Sequence, residues 1–242
     1  MPRFFKENFK EEPFIDGQDA AHISRSLRMK QGEGLTVCDG NGTDYTCVIE
    51  AITPDRVCLE IKEENPSEAE PDIKVTLCTS LLKGDKLEQV IKHSVELGVF
   101  EITPIISANC VSRPDERSLK GKVGRWQKIA NEAAGQSGRG ILPKVNEAIT
   151  LKALSEAFGE FDLVLFFYEV GGNPLGETLW ENAGAKKIAV ITGPEGGFAP
   201  EEAEMLKNAG ARVISLGKRI LRAETAPLAA LTGVMLLTDN LE

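Results

Sequence analysis

Two short loops near the carboxyl end of the chain carry the residues best suited to chemistry. Residues 192–198 read Thr-Gly-Pro-Glu-Gly-Gly-Phe, and residues 216–226 read Leu-Gly-Lys-Arg-Ile-Leu-Arg-Ala-Glu-Thr-Ala. In the first, glycines and a proline strip away side-chain bulk and permit positive φ, so backbone N–H and C=O groups can lie against a ligand. Glu195 is its one charge. The second adds Arg222 and Glu224 where loop gives way to helix, with Thr225 in position to cap. The spacing excludes two familiar phosphate devices. No Gly-Lys-Ser/Thr ending makes a P-loop, and no Gly-x-Gly-x-x-Gly makes a dinucleotide fingerprint. The residues point to a small-ligand crevice with an acid, a base and much exposed backbone. For the first loop alone, a tight turn bearing a surface carboxylate is the alternative.

The elements around these loops suit a crevice. Each loop follows an apolar run that reads as a buried strand, 188–191 and 212–216, and each leads into a helix. The first helix is expected from near Pro200, with Glu201, Glu202 and Glu204 at its positive end. The second is expected from about Glu224 to Thr238; its small and apolar residues run nearly all round, which predicts burial. Loops at the carboxyl ends of buried strands are where open α/β sheets bind ligands. Upstream, from Ile73, strands (73–78, 100–106, 161–168) alternate with helices (85–97, 117–135, 151–158, 174–181). That order predicts a largely parallel sheet covered on both faces. Asp85 is expected to cap the first of these helices and Gly98 to stop it, while Trp126 and Ile129 anchor the second. Strand 161–168 ends in Tyr168 and Glu169 before Gly171 and Gly172, making it a third contributor to the crevice.

Residues 1 to about 65 follow another pattern. Short apolar segments (35–38, 45–49, 56–61) are separated by turns at 39–42 and 53–55, with one helix from Asp19 to Met29 capped by Asp19. This reads as a small β domain. Arg25, Arg28 and Lys30 lie on or beside the helix, close in sequence to Arg3, Lys6 and Lys10. A basic cluster on a small barrel suggests an RNA-binding module, with an ordinary barrel carrying solvated lysines as the alternative. Residues 63–72, acidic and carrying two prolines, read as the linker between domains.

Charge and composition narrow the classes further. With 28 Lys and Arg against 37 Asp and Glu, the net charge of −9 opposes a uniformly basic nucleic-acid binder. The charges are segregated, however. Residues 113–144 hold eight basic and three acidic side chains, and residues 60–72 hold six acids and one lysine. An RNA footprint therefore stays open beside a mixed solvated helix face. No run of eighteen apolar residues and no signal-peptide core is present, so a cytoplasmic protein is expected. Five cysteines without a Cys-x-x-Cys pair, and only two histidines, predict free thiols and no metal site.

Residues 193–198, together with the Leu-Gly-x-Arg-Ile-Leu-Arg-x-Glu-Thr-Ala run of 216–226, resemble the paired signature of the RsmE-type 16S rRNA (uracil-N3)-methyltransferases. These are S-adenosylmethionine enzymes of the SPOUT class. The resemblance extends to His22, Leu27, Arg28, Gly34, Asp39 and Gly40 in the first region, with His22 in a structural role, and to Lys83, residues 96–99, 132–139 and 142–145. Gly135 departs from the pattern, where an acid is usual, and costs the helix about 1 kcal/mol.

The resemblance implies a PUA-like RNA-binding β-barrel over residues 1–72 and a trefoil-knotted SPOUT methyltransferase domain, α/β with a parallel sheet, over 73–242. It implies a homodimer and S-adenosyl-L-methionine as cofactor, held by Gly193, Glu195, Gly196, Gly197, Leu216, Gly217, Ile220, Leu221 and Ala226, with Tyr168 and Glu169 as further contacts. The expected substrate is N3 of a uridine near the 3′ end (helix 44) of 16S rRNA in the small ribosomal subunit. Arg222 would stabilise the uracil anion through its carbonyl oxygens. Glu224 or Glu195 would take the proton, or simply hold Arg222 and cap the helix. Arg3, Arg25, Arg28, Lys30 and Arg139 are the expected RNA contacts. Three other readings are another SPOUT target, a tRNA base or a ribose 2′-hydroxyl; a non-catalytic RNA-binding or ribosome-assembly protein; and a nucleotide-binding hydrolase, which the missing phosphate loop and metal ligands disfavour.

Overall fold

The computed structural model describes residues 1–53, 55–111 and 115–241; Pro54 of the expected 53–55 turn and Arg113 of the basic stretch lie outside them. The chain divides into two units, Met1–Glu70 with Ala134–Leu142, and Pro71–Ala133 with Pro143–Glu242.

Alternation of apolar and polar residues builds the first unit. It holds β1 (Arg3–Phe5), β2 (Phe14–Asp16), α1 (Gly17–Ala21) running on into a wider helical turn at His22–Ser26, β3 (Gly34–Cys38), β4 (Thr43–Ile52) and β5 (Arg56–Pro66). The sheet order is β1-β3-β4-β5-β2. β3–β4 and β4–β5 are antiparallel, and β1 runs parallel to β3. The β3–β4 turn is closed by Asp39, whose carboxylate accepts from the N–H of Asn41 at 2.8 Å and of Thr43 at 3.0 Å. The period of two sends Leu35, Val37, Tyr45, Cys47, Ile49, Val57 and Leu59 to one face, where they join Phe4, Phe9, Ile15 and Ile23. His22 lies edge-on to Phe4, with ring centroids 6.3 Å apart.

Three expectations for this region change. β1 and β2, three residues each, are too short for alternation to show in sequence. Helix α1 begins at Gly17, so Asp19 lies inside its first turn instead of capping it. The acidic stretch 63–72 is not a free linker, because β5 continues to Pro66, with Glu63 opposite Thr46 and Asn65 opposite Asp44. Glu70 is also engaged. Its carboxylate receives Arg139 through Nε (2.9 Å) and a terminal nitrogen (2.7 Å), and the N–H groups of Gly140 (2.7 Å) and Ile141 (3.0 Å).

The second unit is an α/β sheet. Its elements are β6 (Lys74–Ser80), α2 (Lys86–Glu96), β7 (Glu101–Ile106), α3 (Glu116–Ser137, whose last turn belongs to the first unit), β8 (Lys144–Val145), β9 (Ile149–Thr150), α4 (Leu151–Glu156), β10 (Leu163–Phe167), β11 (Asn173–Pro174), α5 (Leu175–Glu181), β12 (Lys187–Thr192), α6 (Pro200–Asn208), β13 (Arg212–Ser215) and α7 (Ala226–Leu237). The strand order is β11-β13-β10-β12-β6-β7-β8, with β9 also paired to β7. Its pairings are parallel. Strands covered on both faces read as continuous apolar runs, and all five residues of β10 are buried. Phe166, Ile191, Phe198, Ala203 and Leu206 share one core cluster that ties β10 and β12 to α6. Each large apolar side chain buried there contributes roughly 1.5–3 kcal/mol.

Local details again differ. Asp85 makes no side-chain cap; its carbonyl accepts from the N–H of Gln89 at 3.1 Å. Trp126 is buried but Ile129 only half so, and Ala130 and Ala133 supply the rest of that face. Helix α7 buries Pro227, Ala230, Leu231, Val234 and Met235, whereas Leu236 and Leu237 in its last turn are exposed. Thr225 precedes α7 without a side-chain cap bond. The five cysteines are free thiols. Among the described residues no helix is long and apolar enough to cross a membrane.

Candidate active site

Parallel pairing of β13, β10 and β12 brings their carboxyl ends to one edge, with Phe166 opposite both Val213 and Ile191. The chain leaving each strand converges there on a cavity of about 590 Å³. Its wall takes Tyr168 and Glu169 after β10, Gly193, Glu195, Gly196 and Gly197 after β12, and Leu216, Gly217, Ile220, Leu221, Arg222, Glu224 and Ala226 after β13. Every residue named above for cofactor binding or catalysis thus lines one space. Lys86, Thr192, Pro194, Lys218 and Arg219 line it too and were not singled out. Lys86 opens α2, and no local motif marks a lysine whose partners lie on loops far downstream.

The first loop needs its glycines for different reasons. Gly197 has φ +66°, and a Cβ there would run into the Glu169 carboxylate. A Cβ on Gly193 would come within 2.9 Å of the Phe198 ring. That ring is buried edge-on against Phe166, centroids 5.0 Å apart, and cannot retreat cheaply. Asn109 fastens the loop from outside, its side-chain amide donating to the carbonyls of Gly196 (3.1 Å) and Gly197 (3.2 Å). Glu202 in the first turn of α6 accepts from the N–H of Ala199 (3.0 Å) and Ala108 (2.7 Å). In the second loop, the Arg222 carbonyl accepts from the N–H groups of Thr225 and Ala226, each at 2.9 Å, and turns the chain into α7.

The charges are arranged across these loops. Lys86 Nζ lies 3.0 Å from Glu224 Oε2 and 3.6 Å from Glu195 Oε1. Glu195 Oε1 also accepts from the N–H of Lys83 at 3.1 Å. Its own backbone N–H, then the Lys86 ammonium, hold the Glu224 carboxyl below the ordinary glutamate range. The Glu224 carboxylate, with Glu195 behind it, holds Lys86 above the ordinary lysine value. Arg222 is exposed, and among the described residues no carboxylate reaches it within ion-pair distance. The glutamates that could have held Arg222 are paired with Lys86 instead. On the cavity wall the Thr192 hydroxyl is buried without a hydrogen-bond partner among the described residues. Among those residues no cluster of three His, Cys, Asp or Glu side chains could hold a metal ion.

A family model for an RNA methyltransferase domain matches residues 69–235, and one for an RNA methyltransferase PUA domain matches residues 15–62. The ribosomal RNA small subunit methyltransferase E of Bacillus subtilis (strain 168) is 34% identical over 254 residues, covering 100% of this chain and 98% of its own length. That of Mesomycoplasma hyopneumoniae (strain 232) is 34% identical over 232 residues, covering 96% and 98%. The chain belongs to the ribosomal RNA small subunit methyltransferase E family. A crystal structure of the family's Neisseria gonorrhoeae protein, bound to S-adenosyl methionine, matches with a TM-score of 0.87 at 31% identity over 98% of each chain. The fold class is accordingly a SPOUT-type α/β methyltransferase domain preceded by a PUA-like β domain.

Within the unit that contains the family's PUA domain, the basic residues divide in two. Arg25, Arg28 and Lys30 are exposed along one short segment. Arg3 is committed inside the unit, donating to both oxygens of Asp44 (2.8 and 2.6 Å) and to the carbonyl of Arg139 (3.0 Å). Arg139 itself is 3% exposed and bidentate on Glu70. Its expected place at RNA is corrected to a structural one, because its guanidinium is spent holding the 139–141 loop to the acidic stretch.

Proposed function

We propose that this chain is an S-adenosylmethionine-dependent methyltransferase of 16S rRNA in the small ribosomal subunit, acting on N3 of a uridine near the 3′ end, in helix 44. The relatives' names and the cofactor in the Neisseria gonorrhoeae structure support the reaction class. The observation that carries the site assignment is Arg222, a cation on the cavity wall that no carboxylate among the described residues reaches within ion-pair distance. The residues present fit the cofactor. A backbone-rich wall, apolar surface from Leu216, Ile220, Leu221 and Ala226, and the unpaired Thr192 hydroxyl together suit a nucleoside with polar edges.

S-adenosylmethionine bound there supplies an electrophilic methyl group. The protein must then present a nucleophile, and uracil N3 keeps its proton at neutral pH and is paired within a helix. The base has to be exposed and deprotonated. Arg222 supplies positive charge for the anion that results, an electrostatic contribution that requires little reorganisation. Glu224 is kept ionised by its own N–H and by Lys86, which makes it a weak proton acceptor. Its contribution is to the charge balance of the site.

In this reading residues 1–72 dominate RNA affinity, with Arg25, Arg28 and Lys30 meeting phosphates, and residues 73–242 carry out transfer. The enzyme works in the cytoplasm as a homodimer; an exposed Trp180 on α5 and the exposed Leu236 and Leu237 on α7 suit an apolar contact.

The test is methyl transfer from radiolabelled S-adenosylmethionine to small subunits lacking their modifications, with the labelled nucleoside identified by mass spectrometry. Label on N3 of uridine is the expected result, and label elsewhere or none overturns the assignment. Arg222→Ala should lower transfer on the order of 100- to 1,000-fold, the scale for one preorganised charge-stabilising donor, while cofactor binding stays within about tenfold. Equal loss of both would remove Arg222 from the chemistry.

A further inference from the structure

Lys86 is the one cavity-lining residue, among those described, that comes from outside the three strand ends and their loops. Its position is fixed by the core, because Leu87, Val90, Ile91 and Val95 bury the face of α2 that follows it. Its ammonium lies between a glutamate of the first loop and a glutamate of the second, 3.6 Å from Glu195 and 3.0 Å from Glu224. Lys86 is 32% exposed. Partly exposed pairs of this kind add little to stability, so the consequence to look for is in the charge of the site and not in the fold. Lys86 pairs with both glutamates and offsets one of their two negative charges, and among the described residues Arg222 makes no ion pair, although its charge is felt at Glu224. Without it, Glu195 and Glu224 lose the cation that pairs with them, and Glu224 is left with Arg222, two residues away on the same loop, as the cation whose charge it feels.

We propose that Lys86 is a positioning residue for methyl transfer: by claiming Glu195 and Glu224 it leaves Arg222 free for the anionic base and keeps the cavity from repelling that base. The inference rests on the function proposed above. The charged groups lining this cavity are Lys86 from α2, Glu195 from the first loop, Lys218, Arg219, Arg222 and Glu224 from the second, and Glu169 after β10.

The test compares Lys86→Met and Lys86→Arg with the unaltered protein in steady-state methyl transfer to unmodified small subunits, with calorimetric titration of S-adenosylmethionine alongside. Lys86→Met is expected to lower kcat by about tenfold, the scale of one pKa unit of charge interaction, with cofactor affinity within about threefold. Lys86→Arg keeps the charge and should recover most of the rate. A Lys86→Met enzyme with full kcat overturns the inference, as does one whose only defect is weakened cofactor binding that Lys86→Arg repairs. An unaltered protein that transfers no methyl group at all removes the underlying reading and this inference with it, a result distinct from an active enzyme indifferent to Lys86.

Discussion

Gly197 allows the backbone-lined cavity to be tested with a single methyl group. The residue sits at φ +66°, and a Cβ added there meets the Glu169 carboxylate, itself part of the cavity wall. An L-residue in the left-handed region costs about 1–2 kcal/mol. The displaced carboxylate adds to that cost. If the strain falls on the ligand-ready shape of the loop, Gly197→Ala weakens S-adenosylmethionine binding by about 5- to 30-fold. Gly210 provides the control, with φ +108° and no atom within 4 Å of an added Cβ. It follows α6, outside the cavity, so Gly210→Ala meets a backbone penalty at least as large without touching the site. That variant should melt about 2–4 °C lower for each kcal/mol lost, and bind cofactor normally. Isothermal titration and thermal melting of both variants separate the two effects. Gly197→Ala binding within twofold of the unaltered protein would refute the reasoning, and so would Gly210→Ala losing affinity to the same extent.

Three further outcomes follow from contacts already described. Asn109→Ala frees the carbonyls of Gly196 and Gly197, two hydrogen bonds worth about 1 kcal/mol each, and should raise KM for S-adenosylmethionine by up to about thirtyfold with kcat little changed; steady-state kinetics at saturating RNA checks it. Glu70→Gln removes the negative charge on which the guanidinium of Arg139, 3% exposed, is bidentate. It should cost roughly 3–5 kcal/mol, read as a fall in denaturation midpoint, and a midpoint that does not move would contradict the structural role given to Arg139. Burial pushes the thiols of Cys38 and Cys47 up to about 11 and that of Cys78 up to about 12. The thiolate is the reactive form, so a thiol reagent at pH 8 should leave these three unlabelled in the folded protein and label all five cysteines in denaturant, as mass spectrometry would show.

The parts of this protein legible in sequence are those whose cause is local. Residues 188–191 announce a buried strand because a continuous apolar run has few other uses, whereas 212–216 announces a strand of which only Ile214 is buried, and residues 193–197 announce a close-approach loop because glycine is what such a loop requires. β1 and β2 were invisible because three residues cannot display a period of two. The acidic stretch 63–72 was misread for a related reason. Acids and prolines look like a spacer until β4 is seen lying alongside Glu63 to Pro66, and until Arg139, almost seventy residues later, is found on Glu70. The capping expectations failed at Asp85 and Thr225 because those residues do not take the extended backbone of a cap, and at Asp19 because α1 already begins at Gly17. Thr150, at an extended φ/ψ before α4, does cap, accepting from the N–H of Ala153.

Arg222 and Glu224 show why a site's electrostatics is harder to read than its location. Two residues apart in a loop, they look like partners. The loop closes, however, by turning the Arg222 carbonyl onto the N–H groups of Thr225 and Ala226, and the Glu224 carboxylate is taken by its own N–H and by a lysine on α2. The two line the same cavity and the Arg222 charge is felt at Glu224, yet the ion pair Glu224 makes is with Lys86, so sequence proximity says little about which charges pair. What decides it is which residue from another element can reach. Here that residue is Lys86, carried into place by a helix whose sequence is organised around burying Leu87, Val90 and Ile91. A motif can therefore locate the acid and the base, while the state of charge in which each meets a substrate is set by a third residue that the motif does not contain.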